Sequence, residues 1–103
     1  RLIYIFLCLF LGSSELIWGQ CVGTPGLNLY WVGTAANGGG NYNDPAAWRV
    51  GGVGSSVQPC QSPRSSDNVF FTAAAFPAAG AVITIDAASN CFNMYWDPTI
   101  MTV

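Results

Sequence analysis

Cysteine, aspartate and the large aromatics are the residues of this chain whose chemistry could define a site. The cysteines are Cys8, Cys21, Cys60 and Cys91. A zinc tetrahedron is not expected, because the chain has no histidine and no C-x-x-C pair. Cys8 falls in an apolar leader described below, which leaves three thiols and an unequal count. Cys60 and Cys91 are the expected disulfide, since both flank strand-like runs. Closing that loop of about thirty residues would contribute roughly 3–4 kcal/mol in the chain-entropy account.

The carboxylates beyond the leader are Asp44, Asp67, Asp86 and Asp97, each in a separate turn-rich segment. General acid–base catalysis uses histidine or a tuned carboxylate pair. Histidine is absent, and no spacing here pairs two aspartates as a glycosidase requires. A serine nucleophile would lack its base. The glycine run at residues 38–40 is not followed by Lys and Ser or Thr, so it is no phosphate loop. The expectation is a non-enzymatic protein with no catalytic residue, no cofactor and no metal. Asp44, ahead of Pro45, suits a helix cap. Asp67 suits closure of the turn over residues 65–68. A calcium site from Asp44, Asn41 and Asn43 is the competing reading of that loop.

Trp31, Tyr42, Trp48 and Trp96 are the aromatic residues singled out as the main apolar payload. Rings of this size each bury 150–250 Å² and can supply much of a small core. Flat rings also stack on sugars, which makes Trp31, Tyr42 and Trp48 the candidate glycan-contacting residues. Core burial is the expectation, and a carbohydrate platform the alternative.

The elements that must position these groups are short. The chain has 103 residues, 51% of them hydrophobic, but unevenly spread. Residues 2–11 form an unbroken apolar run behind Arg1, followed by a weakly polar exit to Gln20. This is the pattern of a secretory signal peptide over residues 1–19. The run is too short for a bilayer span, which takes roughly 20 apolar residues. The signal helix would engage the export machinery, and no membrane span is expected in the mature chain. Beyond it, two arginines face four aspartates, for a net charge of −2 without a lysine. Nucleic acid is therefore excluded as a partner, because two arginines are too few to neutralise phosphates.

Residues 29–32, 69–72, 82–86 and 92–96 read as strands, and residues 100–103 as the start of another. Residues 45–48 could form one helical turn. Glycine and proline recur too often for a long helix. The fold class is all-β: residues 20–98 form a β-rich module and residues 99–103 open a further strand.

Five blocks carry a resemblance. They are Tyr30-Trp31-Val32-Gly33; Gly40-Asn41-Tyr42-Asn43-Asp44-Pro45-Ala46-Ala47-Trp48; Pro63 with Ser66-Asp67-Asn68-Val69-Phe70-Phe71; Val82-Ile83-Thr84-Ile85-Asp86; and Cys91-Phe92-Asn93-Met94-Tyr95-Trp96. In this order they resemble a module near the N-terminus of large secreted, adhesin-like proteins of Bacteroidetes. Those proteins are related to gliding motility, and many are sorted by type IX secretion. The pattern departs at Tyr42, Ala47 and Thr72, where the family usually has Trp, His and Asp. The resemblance implies the N-terminal cap or first coil of a parallel β-helix-like solenoid, with a small β-sandwich as the alternative. It implies a secreted or cell-surface location and no catalytic activity for the module. The expected partners are surface glycans or other extracellular ligands. The alternative functions are the opening part of a secreted polysaccharide-active β-helix enzyme and a carbohydrate-binding module.

Overall fold

The computed structural model describes residues 21–101. The expected signal-peptide segment, with Cys8, lies outside the described residues. So do residues 102–103 of the expected last strand.

The described chain is all-β, with strands joined by coil and three short 3-10 turns. Four strands form one mixed sheet: β1 (Asn28–Trp31), β3 (Trp48–Val50), β4 (Asn68–Phe71) and β6 (Asn93–Trp96), in the order β3-β1-β4-β6. β3 runs antiparallel to β1, whereas β1, β4 and β6 are mutually parallel. A second, two-stranded parallel sheet pairs β2 (Gly40–Asn41) with β5 (Ile83–Thr84). Parallel pairing of strands this short is unlike the antiparallel faces of a β-sandwich.

Register follows a repeated four-residue pattern. Asn28 pairs with Asn68 and Asn68 with Asn93; Leu29 aligns with Val69 and Val69 with Met94; Tyr30 aligns with Phe70 and Phe70 with Tyr95. Side chains alternate between faces along a strand. The second and fourth positions therefore share the core face, and the first and third the outer face. Leu29, Trp31, Val69 and Phe71 are buried, as that alternation requires. Tyr42, Ala47, Trp48 and Ala75 complete the core.

Trp48 lies at the centre of that core. It meets Trp31 edge-on with ring centroids 5.1 Å apart, Tyr42 at 5.2 Å and Phe71 at 5.6 Å. Edge-to-face contacts of this kind favour the ring quadrupoles. The polar ends are satisfied: Trp48 Nε1 donates to the Tyr42 carbonyl at 2.9 Å, and Trp31 Nε1 to the Gly38 carbonyl at 2.7 Å. The second bond explains part of the glycine run. Gly38 has φ +94°, and a Cβ there would fall 2.1 Å from the Ala75 carbonyl oxygen. Gly38→Ala is expected to cost about 2–3 kcal/mol, from the disfavoured backbone and the displaced carbonyl together. Urea denaturation followed by tryptophan emission would measure it.

Most expected elements are present, and three differ. Asp44 caps the 3-10 turn Pro45–Ala47 by accepting from the Ala46 N–H at 2.9 Å, with Pro45 at its first position. The turn ends sooner than expected, because Trp48 is extended and begins β3. The run at residues 82–86 pairs only over Ile83–Thr84. Pro98–Met101 forms a 3-10 turn where the opening of a strand was expected. The Asp97 carboxylate accepts there from the Thr99 N–H and hydroxyl, a local alternative to ladder pairing. Those two donors hold the Asp97 carboxyl below its ordinary range.

Candidate functional site

The expected Cys60–Cys91 disulfide is not formed. Cys60 pairs with Cys21, with Cα atoms 4.8 Å apart, and Cys91 is free and half-buried. The backbone supplies the reason. Val22 donates to the Gln58 carbonyl and Cys60 to the Val22 carbonyl, both at 2.9 Å, so a short parallel bridge carries the two thiols together. Cys91 instead approaches Tyr42 at the end of the core. The Tyr42 hydroxyl donates to the Asn90 carbonyl at 2.7 Å. Burial, and then the neighbouring Cys91 thiol, push the Tyr42 hydroxyl well above the usual phenol range. In the natively folded chain, alkylation mapped by mass spectrometry should mark Cys91 and spare Cys21 and Cys60.

The glycan-platform candidates Trp31, Tyr42 and Trp48 are corrected as well. Their exposures are 0%, 2% and 0%, so no pyranose reaches a ring face. They pack inside together, because Trp48 is the register partner of Trp31 and meets Trp31 and Tyr42 edge-on. Tyr42→Phe is expected to cost about 1 kcal/mol through the lost bond to Asn90, read as a lowered urea midpoint.

The carboxylates and cations are committed to the fold. Arg49 Nη1 donates to the Ala46 and Trp48 carbonyls. Arg64 pairs with Asp67 at 3.2 Å and donates to the Gly23 and Thr24 carbonyls. Asp67 does more than close a turn: its carboxylate accepts from the N–H groups of Gly26, Leu27 and Arg64 as well. Asp86 accepts from Asn41 Nδ2 at 2.8 Å, which ties the β2 segment to the residues after β5. Asn41 Oδ1 accepts from the Asn43 N–H, and Asn43 bonds Ser89. The oxygens of the calcium reading thus hold turns and contacts between distant segments. Among the described residues no three His, Cys, Asp or Glu side chains gather where a metal could sit.

An uncommitted surface is the outer edge of β6. Exposure rises along the core face, from 0% at Leu29 and Val69 to 45% at Met94. The companion row runs from 0% at Trp31 and 2% at Phe71 to 43% at Trp96. Tyr95 is 48% exposed on the opposite face. Among the described residues no strand lies beyond β6. At the other edge of the sheet β3 is covered, because Val50 donates to the Val57 carbonyl at 2.8 Å.

Both faces of β6 continue rows that begin in β1. Tyr30, Phe70 and Tyr95 stack face to face at 4.6 and 4.7 Å, close to the spacing between strands. Phe71 and Trp96 stack at 4.2 Å. Asn68 Nδ2 donates to Asn28 Oδ1 at 3.0 Å, and Asn93 Nδ2 to Asn68 Oδ1 at 3.3 Å. Beside β6 lies an apolar groove of about 870 Å³, lined by Phe76, Pro77, Ile83, Trp96 and Ile100 among others. Asn93 and Tyr95 were absent from the candidate site residues. The signal that would have found them is the repeated pattern asparagine–apolar–aromatic–aromatic at residues 28, 68 and 93.

Among the described residues no helix is long and apolar enough to cross a membrane. No family model matches the chain, and no curated protein or solved structure matches it.

Proposed function

We propose that this chain is an exported, non-enzymatic, adhesin-like module that caps and starts a stack of parallel β-coils at a cell surface. The observation that carries the reading is the graded ladder: three parallel strands in one register, sealed at β3 and progressively uncovered toward β6. Such a stack resolves its exposed face by adding coils, since each unit of a solenoid buries its neighbour. β1 with β2 and β4 with β5 supply two faces of successive coils, and the β3 hairpin closes the first end.

Two features of the chain support export to an oxidising compartment. The leader has signal-peptide order, Cys21 and Cys60 are bonded, and disulfides persist outside the cytosol. The five-block resemblance to surface proteins of Bacteroidetes, with type IX sorting, points the same way. The structural use of both mature arginines and all four mature aspartates supports a non-catalytic role.

Expression behind its own leader in a Bacteroidetes host tests the reading. The extracellular or surface fraction should hold a chain beginning at Gln20 with Cys21 oxidised, and displaying cells should adhere more than cells lacking it. An uncleaved, reduced chain confined to the cytoplasm would overturn it.

A further inference from the structure

We infer that the outer edge of β6 accepts one parallel strand of the pattern asparagine–apolar–aromatic–aromatic, the next coil of the same stack, with its asparagine donating to Asn93 Oδ1. This rests on the parallel-coil reading and specifies what that coil must present.

The asparagine row has a direction. Each amide gives its N–H to the strand before it: Asn68 to Asn28, then Asn93 to Asn68. Asn93 Oδ1 therefore stands where Asn28 Oδ1 and Asn68 Oδ1 stand, as the acceptor for a following amide. Asparagine ladders and stacked rings are devices that hold identical strands parallel and in register. The aromatic row sets the third position, because Tyr95 presents its open face as Phe70 presents one to Tyr95. On the core face, Met94 and Trp96 set an apolar second position and a broad ring at the fourth.

The edge also lacks the usual protection. Natural edge strands are blunted by charge, proline or a bulge, and Asn93–Trp96 has none of these within the strand. Asp97 and Pro98 stand only after its end. A second copy of this chain does not fit. Two-fold pairing of β6 with β6 would run antiparallel and set Asn93 against Trp96, breaking both rows. Head-to-tail pairing with β3 meets an antiparallel strand whose edge the 51–57 loop already occupies.

The probe is a synthetic peptide, acetyl-Asp-Asn-Val-Phe-Phe-Thr-amide, which copies β4 and contains no tryptophan. Titrated into the purified oxidised chain, it should shift Trp96 emission to the blue and saturate. The same peptide with alanine for asparagine should bind about five- to tenfold more weakly, one bond's worth of discrimination. The reversed sequence should bind no better than the alanine peptide. In Asn93→Ala, with an unchanged near-ultraviolet spectrum, the asparagine and alanine peptides should bind alike. Equal binding of all peptides to the unaltered chain, no binding of any, or a concentration-dependent dimer that excludes the peptide would each overturn the inference. Those outcomes leave cleavage and surface display intact, so they are distinct from failure of the functional reading.

Discussion

Reduction of the Cys21–Cys60 bond should lower the stability of the folded chain by about 4 kcal/mol, the value expected for closing a loop of about forty residues. The bond spans a sequence separation of 39, and that loop contains β1, β2 and β3. Domains of roughly 80 residues have only about 4–12 kcal/mol to lose. Reduction should therefore remove from about a third to nearly all of that stability. The mechanism is local as well as entropic. The bridge between Val22 and Pro59 has few bonds of its own, and without the disulfide residues 21–22 would open first, while Arg64 and Asp67 still hold residues 23–27. Urea denaturation of the oxidised chain, the reduced chain and Cys60→Ser should give one high midpoint and two low ones. Cys91→Ser should match the oxidised chain to within about 1 kcal/mol, because it removes a half-buried thiol and no cross-link. If Cys91→Ser fell as far as Cys60→Ser, the pairing described here would be wrong.

That pairing also shows where sequence reasoning stops. Strands were legible wherever aromatic and β-branched residues clustered, as in β1, β4 and β6. The cap at Asp44 was legible because Asp-Pro is a local signal. The thiol partner was not, since it depends on a two-residue bridge between segments separated by some forty residues of loop and strand. β3 was hidden for a similar reason. Trp48 follows a helical turn directly, and its strand state is fixed by antiparallel pairing with Trp31. The glycine-rich loop carries β2, whose pairing to β5 depends on bonds such as Gly40 N–H to the Val82 carbonyl rather than on side-chain preference.

The site was half legible. Treating Trp31, Tyr42 and Trp48 as a core or a platform was a fair division from composition. Only the tertiary arrangement shows that these three rings pack on one another in the core while Trp96 and Tyr95 remain open. The tetrad repeat at residues 28, 68 and 93 lay in the sequence, but its intervals are unequal. Structural repeats are found by fixed period, and the longer connection between β1 and β4, which carries β2 and β3, breaks it.

Asp67→Asn is the second large effect, an expected loss of about 3 kcal/mol at neutral pH from breaking a buried ion pair by removing one partner. Asp67 is only 1% exposed, while Arg64 is 26% exposed, which places the cost toward the lower end for such pairs. Its Oδ1 accepts from the N–H groups of Gly26 and Leu27 at 3.1 and 2.9 Å. Its Oδ2 accepts from Arg64 N and Nε at 2.8 and 3.2 Å. An asparagine amide can present one oxygen but must turn an NH₂ toward the other pair of donors. The position explains why this matters beyond one bond. Leu27, Asp67 and Phe92 are the residues immediately before β1, β4 and β6. Asn68 N–H donates to the Leu27 carbonyl, and Phe92 N–H to the Asp67 carbonyl. Asp67 thus fixes the layer from which the asparagine ladder starts, and with it the register of all three parallel strands. Burial alone would raise its carboxyl, but the Leu27 and Arg64 N–H groups and the Arg64 guanidinium outweigh that and hold it below the ordinary carboxylate value. A lowered folded-state value makes the stabilisation present above the unfolded value of about 3.9, and lost as pH falls through the folded one. The gap in unfolding free energy between the unaltered chain and Asp67→Asn should therefore be constant from about pH 5 to 8 and narrow below about pH 4. Urea midpoints taken across that range would measure it. A gap that stayed constant into acid would mean that the carboxylate's charge is not what holds the three strands in line.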